Sequence, residues 1–336
     1  MKTVIVSAMS SPFSKLIIIP IAAALVAAAL VAVTAGCSST APGGPANRDR
    51  QPAAVAGPTQ LAVVASTNVW GDIAATIGGS KVAVTSLITN PDADPHEYEA
   101  STRNQLSIAK AQVVIENGGG YDDFVSRMIK SAGNEKATVL NAVTISGMHA
   151  TGGQDLNEHV WYDFPTVERV IDKIENAYAS ADSADAQVFS RNADALTAKI
   201  NKLEQREADL KRQYAGDPVS ITEPVPLYLL NAAGLTNKTP PAFSAAIEED
   251  SDVSPRLLAT TVQLYSRHQV DLLAYNEQTS GPETQKVLTA AKQNHIPVVP
   301  VTETLPAGKD YVGWMSDNLD AIGAALKQSA GAGQGS

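Results

Sequence analysis

Five histidines are the side chains of this 336-residue sequence best suited to binding something other than protein: His96, His149, His159, His268 and His295. A neutral imidazole is a good ligand for borderline transition metals, and carboxylates complete such sites. Two of the five stand among acids, His96 in DPHEYE and His159 in NEHVWYD. In the second half, Glu223 directly follows the apolar run 219–222, and Glu303 follows the run 296–301 within VTETLP. Singly these residues say little, because a loop histidine is commonly solvated and a carboxylate past a strand is commonly a cap. As a set, two histidines from one half and two glutamates from the other supply two neutral nitrogens and two anionic oxygens. That set suits Zn2+ or Mn2+ and neutralises a dication without leaving net charge buried. The string HEYE invites a zinc-hydrolase reading, but Ala100 stands where the second histidine of HExxH belongs.

Such residues converge only if the elements carrying them bring loops together. In the first half, apolar runs at 61–65, 82–88 and 112–116 alternate with helical spacing at 68–77, 101–109 and 121–131, and 138–140 reads as a further strand. Gly78-Gly79 and three glycines at 118–120 punctuate the pattern. The second half repeats it, with strands at 219–222, 271–275 and 296–301 and helices at 227–233, 254–268, 282–293 and 309–327. Short buried strands alternating with helices imply parallel sheets covered on both faces, and loops after strand C-terminal ends line the crevice of such folds. Between the halves, residues 182–213 carry apolar positions at Phe189, Ala193, Leu196, Ile200, Leu203 and Leu210. The spacing is one stripe on a polar helix, and Glu207 and Lys211 form an i,i+4 pair of opposite charge. The expected fold is α/β: two Rossmann-like lobes with parallel sheets joined by one long helix.

The ends read differently. Lys2 and Lys15 precede an apolar run at 16–33 that ends in TAGC at Cys37, the chain's one cysteine. A positive start, an apolar stretch and small residues before a break describe an export signal. Small residues before a lone cysteine resemble a lipobox, so Cys37 is the expected lipidation site, although Thr34 departs from the usual pattern. An uncleaved membrane anchor is the alternative for the same run. Residues 38–60 are rich in Ser, Pro, Gly and Ala and read as a flexible stalk, and 329–336 as a tail that frays. The organisation expected is therefore 1–36 signal peptide, 37–60 stalk, 61–181 first lobe, 182–213 linker helix, 214–328 second lobe and 329–336 tail. With one cysteine no disulfide forms within the chain. A net charge of −10 without a basic stripe disfavours nucleic acid as a partner.

The order of features resembles the metal-binding solute receptors of zinc/manganese ATP-driven importers. TNVWGDIAATIGG, DPHEYEAS, VVIENGGGYDDF, the EHVWYD loop, the long helix, TEPVPLYLLNAAGL and PVVPVTETLPAG carry the resemblance over roughly residues 60–327. It implies that His96, His159, Glu223 and Glu303 hold the metal, with Glu277 of YNEQ the substitute for Glu303. It further implies a lipid-anchored protein on the extracytoplasmic face of the cell membrane, a monomer that delivers Zn2+ or Mn2+ to an ABC permease and is no enzyme. Glu97, Glu99, Glu158 and Asp163 are the groups expected to orient the imidazoles. The His-rich loop of zinc members is missing, since 146–158 offers only His149, and the metal stays open between zinc and manganese. A metal-stabilised adhesin or envelope assembly protein, a zinc-dependent hydrolase and a receptor for an organic anion are the rival readings.

Overall fold

The computed structural model describes residues 60–90, 98, 101–150 and 155–333. The readings on the apolar leader, on Cys37, on nearly all of the stalk and on His96 fall outside the described residues.

The first half alternates β1 (Leu61–Thr67), α1 (Asn68–Gly78), β2 (Val82–Ile88), α2 (Thr102–Lys110), β3 (Val113–Glu116), α3 (Asp123–Ala132) and β4 (Thr138–Asn141). The short α4 (Ala142–Ser146) and then α5 (Phe164–Ala181) follow, and α6 (Ala186–Tyr214) leads into the second half. There β5 (Pro218–Ile221), α7 (Leu227–Ala232), β6 (Thr236–Asn237), α8 (Pro241–Glu248), α9 (Pro255–Ser266), β7 (Leu273–Asn276), α10 (Pro282–Gln293), β8 (Val298–Val301) and α11 (Tyr311–Gly333) complete the order. The strands form two four-stranded sheets, β2-β1-β3-β4 and β6-β5-β7-β8. Every pairing is parallel. Both sheets thus have one topology, in which the chain reverses direction across the sheet beside the first strand, where α/β folds place their crevices.

The 29-residue α6, about 43 Å long at 1.5 Å per residue, does what its stripe predicts. Phe189, Ala193, Leu196, Ile200 and Leu203 are all buried, in one cluster with Ile73 and Val63 of the first sheet's side and Val219, Ile221 and Trp314 of the second's. Two smaller clusters cover the outer sheet faces, one under α2 and α3 and one under α9 and α10.

Three features depart from expectation. Glu207 does not lie on a solvated face pairing with Lys211; it is 5% exposed, and its Oε1 has no hydrogen-bond partner. The reason is its phase: 207 is four residues past Leu203 and three before Leu210, so it occupies the stripe itself. The segment expected to fray from residue 329 continues α11 as far as Gly333, with Ser329 Oγ donating to Asp271 Oδ1 at 2.6 Å. Lastly, no element is expected between residues 234 and 253, yet β6 and α8 form there, and Pro241 opens α8, where its missing N–H is not needed.

Candidate metal centre

The described histidines separate sharply. His149, His268 and His295 are exposed, and the latter two occupy left-handed positions (φ 49° and 58°) just after α9 and α10. His159 is fully buried. It precedes a single 3-10 turn, Val160–Tyr162, that leads into α5. The VVIENGGG stretch holds this loop from below. Gly118, at φ +80°, lies so close to Asn141 that a Cβ there would stand 2.2 Å from its side chain. That backbone turn lets Asn117 N and Gly118 N donate to Asp122, and Asn117 Nδ2 donates to Glu158 O at 2.9 Å. Tyr121 and Trp161 flank the imidazole edge-on, with ring centroids 5.9 and 5.1 Å away.

The imidazole is oriented by Asn157, whose Oδ1 lies 2.7 Å from His159 Nδ1. Nδ1 is therefore the donor and Nε2 the nitrogen left for a ligand. The same amide donates from Nδ2 to Pro224 O at 3.0 Å. One side chain thus fixes the histidine and ties its loop to the residue next to Glu223. Asp163, expected to orient an imidazole, instead caps α5 by accepting from Thr166 N and Thr166 Oγ1. Within an acid-rich loop the residue type was right for orienting a ring, but helix capping claimed this carboxylate.

Glu223 stands two residues past the end of β5 and Glu303 two past β8, both at strand C-terminal ends. They are 3% and 2% exposed. Asn276, the last residue of β7, donates to Glu303 Oε1 at 2.8 Å, and Glu303 N donates to Gln278 Oε1. Glu303 Oε2 is 3.9 Å from His159 Nε2, too far for a hydrogen bond but close enough for its charge to act. Glu277, the alternative to Glu303, points into solvent; the adjacent Asn276 faces the crevice in its place. A third carboxylate, unremarked in the sequence, also enters. Glu248, the last residue of α8, brings Oε1 to 3.3 Å from His159 Nε2. One oxygen of Glu158, one of Glu248 and a His159 nitrogen lie within 4.8 Å of one another. Sequence could have flagged Glu248 only as part of the acidic run 248–250, whose other two members are exposed.

The electrostatics follow from three acids around one ring, Glu303 buried and Glu158 and Glu248 half-buried. Burial alone would lower the imidazole's pKa, but the charges of Glu248, Glu158 and Glu303 override it and push His159 up to about 10. Burial raises Glu223 to about 8, and the charges of Glu248 and Glu303 add to the rise, while hydrogen bonds from Asn276 and Thr279 pull the other way. Two buried atoms here, His159 Nε2 and Glu223 Oε2, have no hydrogen-bond partner. Unmet donors of this kind, nitrogen beside carboxylate oxygen in a crevice, are what a divalent transition metal would satisfy.

Residues 63–325 match the family model of the periplasmic component A of the zinc-uptake complex, ZnuA. The chain belongs to this family. Among curated ZnuA-family relatives, the manganese-binding lipoprotein MntA of Bacillus subtilis is 33% identical over 137 residues, 40% of this chain and 44% of that protein. The metal ABC transporter substrate-binding lipoprotein FimA of Streptococcus parasanguinis is 23% identical over 288 residues, 80% of this chain and 90% of that one. The chain thus spans less than half of the first relative and most of the second. Its fold is that of FpvC from Pseudomonas aeruginosa in complex with Mn2+, with a TM-score of 0.66 at 21% identity, covering 81% of this chain and 100% of that one. The crystal structure of ZnuA gives 0.62 at 18% identity, covering 81% and 99%.

Proposed function

We propose that this ZnuA-family chain is the extracytoplasmic substrate-binding protein of an ABC-type importer. It captures one Zn2+ or Mn2+ ion in the crevice between lobes 61–181 and 214–328 and delivers it to a membrane permease. The ligands are His96, His159, Glu223 and Glu303. The observation that carries this reading is the fully buried Nε2 of His159, with carboxylate oxygens of Glu248 and Glu303 at 3.3 and 3.9 Å, while Asn157 holds its other nitrogen. Family membership and the names of relatives, which are called manganese-, iron- or zinc-binding proteins, support it. Those names favour neither the adhesin nor the hydrolase reading. Four protein ligands close the shell and leave no position for an activated water, so the protein is a receptor and not an enzyme. Cys37 carries the lipid that anchors a monomer to the outer face of the cell membrane.

Elemental analysis with competitive titration of Zn2+ and Mn2+ tests this on the purified protein beside His96→Ala, His159→Ala, Glu223→Ala and Glu303→Ala. One tightly held ion per chain, weakened by each substitution, is the expected result. A wild-type protein that holds no transition metal would overturn it.

A further inference from the structure

Glu248 enters the crevice from the second lobe and stands against His159. It lies in the last turn of α8, where the helix macrodipole opposes a negative charge. Its side chain is 11% exposed; its charge acts on the His159 ring, as those of Glu158 and Glu303 do, and on Glu223. The next residue, Glu249, occupies the helix end and is exposed, so solvent was available to a carboxylate one position away. Carboxylates gathered on one buried nitrogen hold a proton there, and a metal ion can take that proton's place.

We propose that Glu248 is a fifth protein ligand of the crevice ion, and that it biases the site toward Mn2+ over Zn2+. This rests on the metal-receptor reading above. Geometry supports the assignment. Two donors each about 2.1 Å from one ion stand about 3.0 Å apart at a right angle and about 3.4 Å apart at the tetrahedral angle. The 3.3 Å between Glu248 Oε1 and His159 Nε2 falls in that range. The 3.9 Å to Glu303 Oε2 needs a wider angle of about 136°. Glu248 is therefore placed to ligate at least as well as Glu303. His159 Nε2, fully buried, is the shared donor that both carboxylates approach.

A fifth donor discriminates between ions. Zn2+ is satisfied by four ligands in a tetrahedron, so His96, His159, Glu223 and Glu303 would suffice for it. Mn2+ prefers six positions and oxygen donors, and it sits lowest in the order of intrinsic affinities, so geometry and ligand type must supply its selectivity. A third carboxylate gives Mn2+ an oxygen that Zn2+ has no need of. Glu248 is thus a specificity-determining ligand.

The test is competitive titration of Mn2+ and Zn2+ on the purified full-length protein, wild type beside Glu248→Gln and Glu249→Gln, with unchanged circular dichroism as the check on folding. Loss of a ligand used by one ion only should weaken Mn2+ binding by about tenfold or more and Zn2+ binding by less than about threefold. X-ray absorption at the manganese edge should lose one oxygen donor in Glu248→Gln, and Glu249→Gln should match wild type in both readouts. Equal losses for the two ions, tighter binding of either in Glu248→Gln, or an equal effect from Glu249→Gln would each overturn the proposal and leave the receptor reading standing. A wild type that binds neither ion would sink both.

Discussion

Apart from Glu116 and Asp122, whose carboxylates are met by hydrogen-bond donors, the described residues bury carboxylates in two places, and only one of them has the makings of a site. In the crevice, Glu248 and Glu303 approach His159, and their charges act on Glu223. In the linker helix, Glu207 is equally hidden and is pushed to about 9, by burial first and then by the charges of Glu204 and Asp163. No cationic or imidazole group figures among the causes of its shift. A buried acid alone is a cost that the fold absorbs by keeping a proton on it. A buried acid facing an oriented nitrogen is a half-built coordination shell. What separates the two is convergence, and each experiment below presses on that difference.

The largest effect should come from the nitrogen. Removing an outer partner of a metal ligand already weakens binding by about 10–100-fold, so His159→Ala should exceed about 100-fold. Glu207→Gln should leave affinity within about twofold, and titration of both variants checks the pair. Comparable losses from the two would mean that burial and not convergence governs binding. The pH dependence is nearly as large. With His159 raised to about 10 and Glu223 to about 8, both bind protons at pH 7 that an ion must displace. Affinity should therefore rise with pH, by about tenfold per unit for each proton released, levelling first near 8 and then near 10. Calorimetry in buffers of different ionisation enthalpy counts those protons, and a pH-independent affinity between 6 and 8 would refute the assignment.

Asn157→Ala sharpens the comparison at one remove. It frees the His159 ring to turn and cuts the tie to Pro224 O. Loss of affinity by about 10–100-fold with the fold intact is expected. The lobes keep other ties, since Asn68 exchanges two hydrogen bonds with Leu305 and Tyr162 donates to Thr302 O.

The contrast also explains what could be read from sequence. The alternation of apolar runs and helical spacing is local, so β1, β2 and β3, the helix capped by Ser101, and the stripe of α6 were all legible. His159, Glu223 and Glu303 could be picked out because strand ends and acid-rich loops mark positions at a crevice. The choice of Glu303 over Glu277 needed the register of β7, which turns Asn276 inward and Glu277 outward. Glu248 and Asn157 were invisible because each meets a residue of the other lobe, His159 and Pro224, 89 and 67 positions away in the chain, and no period in the sequence encodes a meeting across lobes. Glu207 could have been caught: the seven-residue step from Leu203 to Leu210 skips a buried turn, and a charged residue there looks solvated only if the gap is taken as a break.

Glu207 supplies the smallest effect, and the one whose sign is most exposed to failure. In the fold its carboxyl ionises near 9, and in the unfolded chain near the ordinary 4.5. Between those values the folded protein holds a proton that the unfolded chain has given up, so the wild type loses stability as pH rises through that window. Glutamine does not titrate and keeps its stability. Glu207→Gln should therefore match the wild type near pH 4.5 and gain on it steadily toward pH 9. Melting temperatures of the metal-free pair across that range measure it. A variant less stable than wild type at pH 8 would mean that Glu207 is paired and ionised in the helix, and the two sets of buried acids would then differ in partner and not in kind.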